Sequence, residues 1–438
     1  MASSQQLAPI KIRLPHPYLT TYHLVPSSKL KDGNRLFQLH KASGGEAQPF
    51  PHELENGQLY FSAPQPVNPE TAVPTSNNTA WARAQRSPAS IATWETSSAP
   101  TVGQIWLFLY SIFTVQEQIE TFRLQLQGPE AESLAHALRL SMVAIDHPAP
   151  VSSATTYEPI PNELLVMRSA FWQGCASPLG GQPIWLPSWN PAAAVPSLDY
   201  TMTSTETVHR RHPRRHPKPT PGHVVYSRYI PFLDEHFSLI ALDYQNPEHL
   251  NLFHTWQNDP RVAAGWKETG TLDEHRDYLR RQHEDPHTLT VLGRFNDTFF
   301  SYYEIFWSKE DNVGAHYASG DFDRGRHTLV GNDAFRGPHR VMAWWPSMIH
   351  YCFLDDHRTE NVIGEPMSTN DKVLTYDYTF GLHQDQVIDL PHKRASLVKC
   401  TRERFFQLCP FNQVSPHIAG TGLGFKPRLA STCFVLVQ

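Results

Sequence analysis

The segment between Pro187 and Pro221 divides the 438-residue chain and limits how it can fold. The segment is rich in Pro, Ala, Ser and Thr, a composition that opposes long helices and strands and is typical of a linker. At roughly 100 to 200 residues per domain, the length of the chain predicts two or three domains. We therefore expect a domain over residues 1–186, a linker over 187–221, a second domain over 222–429 and a tail over 430–438.

The linker contains a basic tract, His209 to Lys218, with five Lys or Arg and three His in ten positions. Such a tract can bind nucleic acid, serve as a nuclear-import signal or hold a metal ion through its histidines. The whole chain is acidic, however, with 37 Lys and Arg against 42 Asp and Glu and a net charge of −5. An isolated basic tract in an acidic chain has little electrostatic reach. We expect a solvated linker and no nucleic-acid partner.

The cysteines and the apolar runs restrict where the protein acts. Five cysteines are widely spread and contain no C-x-x-C pair, so neither a disulfide framework nor a zinc knuckle is implied. The longest apolar run, Ile105 to Tyr110, is too short to span a bilayer. The first residues lack the apolar core of a secretory signal. These features predict a cytoplasmic protein without a membrane partner.

In the first half, patterning predicts strands followed by two packed helices. Short β-like runs separated by Pro/Ser/Asn-rich connections predict strands over 10–14, 36–40 and 59–62. From Val102 to Leu126 the pattern predicts a helix, and Gly128-Pro129 ends it and begins a second.

The second half shows sharper periodicity. A capping box at Thr271-Glu274 starts one helix, Pro338 suits the first position of another, and apolar residues from Val341 to Phe353 recur at helical spacing, which predicts a strongly amphipathic helix. Strands are predicted within 229–242, over 289–295, 299–307, 327–331, 362–365, 386–390 and 395–400, with helices from Pro247, Thr271, Pro338 and Asn370. The turn Arg336-Gly337-Pro338-His339-Arg340 would present a helix N-terminus to an anion, although a Gly at such a turn often serves the backbone alone.

In this order the residues resemble the Gcn5-related N-acetyltransferase (GNAT) superfamily, whose fourth strand and following helix hold the pyrophosphate of acyl-coenzyme A. Trp256 to Val262 and Tyr302 to Trp307 look like the acyltransferases of hydroxamate siderophore synthesis. Phe335 to Val341 and Arg402 to Pro410 look specifically like the fungal hydroxyornithine acyltransferases. A segment at Phe171-Trp172-Gln173-Gly174 extends the resemblance loosely to the first half. The resemblance implies an α/β (α+β) GNAT fold, a mixed sheet flanked by helices, with a degenerate GNAT-like N-terminal half.

The resemblance implies transfer of an acyl group from acyl-CoA to the hydroxylated N5 of N5-hydroxyornithine, which gives a hydroxamate. Acetyl-CoA and anhydromevalonyl-CoA are the two donors it suggests, with no metal. The alternatives are a catalytically inactive GNAT-fold binding module and an acyltransferase acting on a different amine. A homo-oligomer stays open. Bulky-acyl relatives in moulds tend to be peroxisomal, and a peroxisomal address is read only at the extreme C-terminus. Pro427-Arg428-Leu429 resembles such an address nine residues before the last residue, so a form ending at Leu429 would be peroxisomal, and this location is the alternative to the cytoplasm.

The resemblance also assigns the chemistry to particular residues. His327 occupies the family's histidine position and is expected to take the proton that the substrate nitrogen loses. Glu365 is expected to orient that imidazole, hold the substrate hydroxyl or take the proton itself. A backbone N–H in or after Val330 is expected to stabilise the thioester oxyanion. The substrate pocket is expected to include Trp266, Tyr303 and Glu304.

Coenzyme A is expected to contact the end of the fourth strand and the following helix. The residues expected to bind it are Val330, Gly331, Arg336, Gly337, Pro338, His339, Arg340, Val341 and Asn370. His339 and Val341 stand where the superfamily usually has glycines. The superfamily's frequent tyrosine acid would fall at Asp377, so no general acid is assigned. Cys352 lies on the apolar face of its helix and is expected to be inert core.

Overall fold

The structure, a computed structural model, describes residues 10–45, 47–67, 74, 76–151, 158–189, 199–206 and 208–411. The predicted tail over 430–438 and the motif at 427–429 lie outside these residues. Within them, the strands form two eight-stranded sheets and a separate two-stranded sheet. Among the helices of these ranges, none has both the length and the apolar character that a membrane crossing requires.

The first sheet is built from eight short strands of the N-terminal half. These are β1 (Ile10–Arg13), β2 (Thr21–Lys31), β3 (Asn34–Lys41), β4 (Tyr60–Ser62), β5 (Ala89–Thr93), β6 (Thr121–Gln127), β7 (Ala144–Asp146) and β8 (Glu163–Met167). Their spatial order is β1-β2-β3-β4-β5-β6-β8-β7, and β5 runs parallel to β6. The accompanying helices are α1 (Ala80–Arg86), α2 (Val102–Val115), α3 (Ala131–Leu140) and α4 (Arg168–Trp172).

The predicted helix over 102–126 is wrong in its second part. The helix α2 begins at a capping box formed by Thr101 and Gln104, but it ends at Val115. The residues of β6 alternate strictly, with Phe122, Leu124 and Leu126 buried and the polar residues between them partly exposed. This period of two is the pattern of a strand, and it was hidden by the apolar helix directly before it.

The predicted solvated linker is also wrong where the structure describes it. The first residues of the basic tract form β10 (His209–Pro213), which pairs with β9 (Tyr200–Ser204) in a hairpin. His212 is fully buried, and Arg215 donates to both carboxylate oxygens of the buried Glu310, at 2.6 and 2.5 Å. The Arg215 guanidinium also stacks over the ring of Trp307 at 4.3 Å. The tract is held because the second half supplies an anionic partner that the sequence pattern did not reveal.

The buried Glu310 is the centre of a wider polar network. His287 Nδ1 lies 2.7 Å from Glu310 Oε1, and Thr203 Oγ1 lies 2.8 Å from His212 Nε2 and 2.9 Å from His287 Nε2. The ligand atoms of His212, His287 and Glu310 all lie within 4.8 Å of one another, as in some metal sites. Here the Arg215 guanidinium provides the cation that faces the carboxylate. The network fastens β9–β10 to His287 and Glu310 of the second half.

The second sheet repeats the order of the first. Its strands are β11 (Val224–Ile230), β12 (Glu235–Ala241), β13 (Thr288–Phe295), β14 (Thr298–Trp307), β15 (Arg324–Val330), β16 (Asn361–Gly364), β17 (His383–Leu390) and β18 (Lys393–Thr401). Its helices are α5 (Pro247–Gln257), α6 (Pro260–Trp266), α7 (Leu272–Glu284), α8 (Pro338–Asp355), α9 (Asp371–Thr379) and α10 (Arg402–Leu408). The spatial order is β11-β12-β13-β14-β15-β16-β18-β17, with β15 parallel to β16. The predicted mixed sheet flanked by helices, and its degenerate copy in the first half, are therefore confirmed.

The predicted character of α8 needs correction. Every residue from Val341 to Leu354 is buried, including Ser347 and His350, so the helix is not amphipathic. A helix that is buried on all sides must be covered by more than one layer. Here the second sheet covers one side, and the N-terminal half covers the other.

The two halves share one core. His350 of α8 accepts a hydrogen bond from Tyr226 at Nδ1 and donates from Nε2 to the carbonyl of Trp172 in the first half, at 2.9 and 2.7 Å. Burial lowers the pKa of His350 to about 3, so the ring is neutral and fits this arrangement. His236 Nε2 lies 2.9 Å from the carbonyl oxygen of Leu14. A single cluster of buried apolar residues runs from Ile12 to Phe411 through both halves. The sequence boundary between the halves is thus not a boundary in packing.

Candidate active site

The second sheet opens where its two parallel strands diverge. β15 and β16 are paired only at Arg324 with Val362 and at Gly325 with Ile363. Beyond that point β15 stays paired with β14 up to Val330, while β16 leaves it. The result is a split between two central strands, a place where an extended ligand can lie against free strand edges.

The first sheet is closed at the equivalent place. Its parallel strands β5 and β6 remain paired over five residues, from Ala89 to Thr93. The Trp94 side chain then covers the end of the pair: its Nε1 donates to the carbonyl of Pro129 at 3.0 Å, and a Cβ on Gly128 would lie 2.5 Å from its ring. Of the two sheets, the second therefore holds the candidate site.

Two predicted catalytic residues meet across the split. His327 and Glu365 each lie two residues beyond the last pair, Gly325 with Ile363, on β15 and just after β16. His327 Nε2 is 2.6 Å from Glu365 Oε1. His327 Nδ1 is 2.9 Å from Oε2 of Glu304, its cross-strand partner on β14. The imidazole thus stands between two carboxylates.

Glu304 is fixed from a second direction. The hydroxyls of Tyr278 on α7 and Tyr302 on β14 donate to its Oε1 at 2.5 and 2.9 Å. Burial alone would raise the pKa of Glu304, but the hydrogen bond and charge of His327 and the two tyrosine hydroxyls outweigh it and lower that pKa. Glu304 is therefore a carboxylate that holds the imidazole, rather than only a wall of the substrate pocket as predicted.

The environment of His327 favours its charged form. Burial opposes the charge, but the Glu365 carboxylate and the hydrogen bonds with both glutamates raise the pKa of the imidazole well above its ordinary value. Burial likewise opposes the charge of Glu365, whose pKa is nevertheless lowered by His327 and by Lys393, with Nζ 3.5 Å from Oε1. The rings of Phe306 and Trp266 lie 4.9 and 6.2 Å from the imidazole.

Two of the predicted pocket residues differ in outcome. Trp266 ends α6 beside His327, in keeping with its predicted position. Tyr303 is fully buried on the opposite face of β14, where its ring packs 5.7 Å from Trp344 and its hydroxyl accepts from Ser301. Neighbouring strand residues point to opposite faces, so Tyr303 and Glu304 cannot both face the split. The prediction for Tyr303 is wrong.

The end of β15 offers one backbone donor to the split. The N–H of Gly331 donates to the carbonyl of Phe300 on β14, at 2.8 Å. Strand amides alternate in direction, so the N–H of Val330 points away from β14, towards the split. The carbonyls of Val330 and Gly331 accept from the guanidinium of Arg261 at 2.9 and 3.1 Å. The Val330 amide is therefore not used within the sheet, and its role as an oxyanion donor stays a prediction.

The start of α8 has fewer free backbone N–H groups for an anion than predicted. Pro338 has no N–H, and the N–H groups of Arg340 and Val341 both donate to the carbonyl of Gly337 at 3.1 Å. The Arg340 guanidinium pairs with Glu235. The helix itself uses these groups, which leaves the amides of Gly337, with φ at 118°, and His339 to face an anion.

Asn370, which is predicted to bind coenzyme A, belongs to the scaffold, as do Asp377 and Cys352. The Asn370 side chain accepts from the N–H of Val373 and caps α9, so it is occupied in the helix rather than free for coenzyme A. Asp377, at the superfamily's tyrosine position, is buried in an ion pair with Arg326. Cys352 is fully buried, and burial raises its thiol pKa to about 11, as expected for inert core.

Arg336 was predicted to bind the cofactor and is free to do so. Its side chain is 46% exposed, and Nη1 lies 3.5 Å from Asp333 Oδ1, a loose contact. The sequence reasoning missed Tyr278, Phe306 and Lys393 around His327. A correct register for the β14–β15 pair would have placed Glu304 opposite His327. Phe306 lies in the motif Tyr302 to Trp307, on the same face of β14 as Glu304, whereas no local pattern pointed to Tyr278 or Lys393.

Gly331 is expected to be essential to the end of β15. A Cβ at this position would collide with the ring of Trp256 on α5. We expect Gly331→Ala to lower the free energy of unfolding by about 1–3 kcal/mol, the usual cost of overpacking. Denaturant unfolding measures this. Gly265→Ala in α6 is the matched control, since its Cβ would meet nothing within 4 Å and a helical alanine is favoured by ~1 kcal/mol. An equal effect of both substitutions would contradict the packing argument.

Comparisons with known proteins agree with the fold. Residues 245–390 match the family model described as an acetyltransferase (GNAT) domain. A hydroxyornithine transacylase of Ajellomyces capsulatus is 49% identical, over 98% of this chain and 100% of its own length. An N(5)-hydroxyornithine:cis-anhydromevalonyl coenzyme A-N(5)-transacylase of Beauveria bassiana is 45% identical, over 95% of this chain and 96% of its own. A putative O-acetyltransferase of Stachybotrys chartarum is 41% identical, over 95% and 96%. With full-length relatives at this identity, the chain belongs to the hydroxyornithine transacylase family of GNAT-domain acyltransferases.

Proposed function

We propose that this protein transfers an acyl group from acyl-CoA to N5 of N5-hydroxyornithine, which forms a hydroxamate for siderophore synthesis. The observation that carries the proposal is the cluster of His327, Glu304 and Glu365 at the split between β15 and β16. The names of two full-length relatives support the substrate. The Beauveria relative's name supports an anhydromevalonyl donor, with acetyl-CoA as the other candidate.

The chemistry suits the site. The substrate nitrogen attacks the thioester carbonyl, the carbonyl oxygen becomes an oxyanion, and the C–S bond then breaks to release the thiol. A hydroxylamine is less basic than an alkylamine, so near neutral pH much of it is an uncharged nucleophile. The Val330 N–H points away from β14, and in this proposal it donates to the oxyanion and stabilises charge that appears only in the transition state. The carboxylate–imidazole cluster removes the proton from nitrogen.

A second candidate is transfer to oxygen. The Stachybotrys relative is named a putative O-acetyltransferase, at 41% identity over nearly the whole chain. An N-hydroxylated amine has two nucleophilic atoms, N and O, and the same site could acylate either one. Only the N-acyl product is a hydroxamate that chelates iron through adjacent C=O and N–O groups.

The test is an assay with purified protein, acetyl-CoA or anhydromevalonyl-CoA, and N5-hydroxyornithine or ornithine. We expect thiol release with N5-hydroxyornithine and a coloured ferric hydroxamate in equal amount. Ornithine should react far more slowly, because its δ-amine has a pKa near ~10.4 and is protonated. No thiol release with either donor would contradict the proposal and favour an inactive binding module. Thiol release without the ferric colour would favour O-acylation.

Cytoplasmic location stays a prediction. The alternative, a peroxisomal location, depends on residues 427–429, which lie outside the described residues. Fluorescence of the full chain tagged at its N-terminus, compared with a form that ends at Leu429 and carries the same tag, would decide between the two.

A further inference from the structure

We infer that Glu365 takes the proton from the substrate nitrogen, and that His327 works as a permanently charged imidazolium that positions Glu365. This assignment rests on the proposed acyl transfer and names the proton acceptor within it. In this arrangement Glu365 is the catalytic residue. His327 and Glu304 are positioning residues that hold it.

The first argument is that His327 has no free lone pair. An imidazole acts as a base only through a ring nitrogen that carries no hydrogen and faces the substrate. Both ring nitrogens face carboxylate oxygens instead, Nδ1 at 2.9 Å from Glu304 and Nε2 at 2.6 Å from Glu365. An ionised carboxylate only accepts hydrogen bonds, so both nitrogens must donate. A ring that donates from both nitrogens is the cation.

The second argument is that both carboxylates are ionised. Oε1 of Glu304 accepts from two tyrosine hydroxyls, and these hydrogen bonds stabilise the ionised carboxylate and lower its pKa. Oε1 of Glu365 also faces the ammonium of Lys393 at 3.5 Å. Two carboxylates, one imidazolium and one ammonium sum to zero net charge. The cluster is therefore balanced as it stands, and the raised pKa of His327 agrees with it.

The third argument is that the cluster keeps one acceptor unused. Both oxygens of Glu304 are occupied, one by the two tyrosines and the other by His327. Glu365 is 6% exposed, and its Oε2 has no hydrogen-bond partner among the described residues. A buried acceptor without a protein donor can accept a hydrogen bond from a ligand. In the proposed complex that donor is the N–H of the hydroxylamine.

The steps balance without any further reagent. The nitrogen lone pair forms the C–N bond while the carbonyl electrons move to oxygen, and the N–H proton passes to Glu365 Oε2. The oxyanion then re-forms C=O, the C–S bond breaks, and the departing thiolate takes the proton from Glu365. A carboxylate kept at low pKa by His327 and Lys393 gives up this proton readily. The products are a hydroxamate and a free thiol, and Glu365 is again ionised.

The charge of His327 can be measured without substrate. We would label the full-length protein with ¹⁵N-histidine and assign the His327 ring by its loss in His327→Gln. At about pH 7.5, one unit above the ordinary histidine pKa of ~6.5, we expect both ring nitrogens to be protonated. A neutral ring at that pH overturns the inference. Because no acyl transfer is involved, this result stands even if the proposed function fails.

Chemical rescue by small molecules distinguishes Glu365 from His327 as the base that acts during catalysis. We expect Glu365→Ala to lose about 10²- to 10⁴-fold in kcat, the usual contribution of a general base, and formate to restore part of it. Imidazole should not restore His327→Ala. The control is Glu360→Ala. Glu360 is exposed and directly precedes β16, the strand that Glu365 follows, so this variant should keep full activity with or without formate.

Two results of the rescue experiment would contradict Glu365 as the proton acceptor. Imidazole rescue of His327→Ala, or no formate rescue of a Glu365→Ala protein that unfolds at the wild-type temperature, overturns the assignment. If Glu365→Ala does not fold, Glu365→Gln replaces it, and the ¹⁵N spectrum of the wild type still decides. If wild-type protein releases no thiol at all, it is the proposed function that has failed.

Discussion

A polypeptide of residues 222–438 alone is expected not to fold and to release no thiol from acyl-CoA. This half contains the complete second sheet and every residue of the candidate site, but its helix α8 is buried on all sides. Removing the first half exposes one flank of α8 and strips His350 of its Trp172 acceptor. A domain folds alone only if it has its own closed core, and this one shares a single core with its neighbour.

Soluble expression and circular dichroism test this expectation. The cut falls at an exposed turn, where Gly222 has φ 82° and no strand is interrupted. Co-expression of residues 1–221 with residues 222–438 is the control and should restore a cooperative unfolding transition, since every contact between the halves is then available. A cooperative transition of residues 222–438 on their own would contradict the shared core.

The second large effect is expected at the buried ion pair that fastens β9–β10. Glu310→Gln should lower the free energy of unfolding by about 3–5 kcal/mol, the usual cost of leaving a buried charge without its partner. The Arg215 and Glu310 side chains are 3% and 0% exposed, so water cannot replace the lost carboxylate. Chemical denaturation monitored by tryptophan fluorescence measures the change, and Trp307 beside Arg215 is a local probe.

Two variants check the reason for this loss. Arg276→Gln breaks an exposed pair with Asp273 on α7 and should change stability by less than about 1 kcal/mol. Adding Arg215→Met to Glu310→Gln removes the stranded charge and should recover part of the loss. If the double variant is as unstable as the sum of its single changes, the unpaired charge is not the cause.

Local signals in the sequence determined much of the fold. The capping box at Thr271, the turn at Asn296-Asp297 and Pro338 each fix an element through short-range geometry, and each element is present. Patterning failed where long-range packing decides. The sequence of α8 is typical of an amphipathic helix, but part of its cover comes from residues such as Trp172, far earlier in the chain. The composition of the basic tract is typical of a linker, because its partner Glu310 lies far from it in sequence.

The sequence predicted two central residues of the site but not their electrostatic surroundings. His327 and Glu365 were found through the family's motifs, and the structure brings their side chains together. Their electrostatic setting was not found, because it depends on Glu304, Tyr278 and Lys393, which come from three other elements. The positive charge on His327 follows from these neighbours, and the residues next to it in sequence do not indicate it.

The closed pair β5–β6 has a consequence for how this chain can vary. Each polypeptide carries two copies of the same sheet but a single opening, so the duplication enlarged the framework without adding a second centre. Substitutions in the N-terminal copy act on shape and volume, since the candidate site lies in the second sheet. These substitutions are limited by the need to pack against α8. Substitutions in the C-terminal copy are also limited by the chemistry of the site.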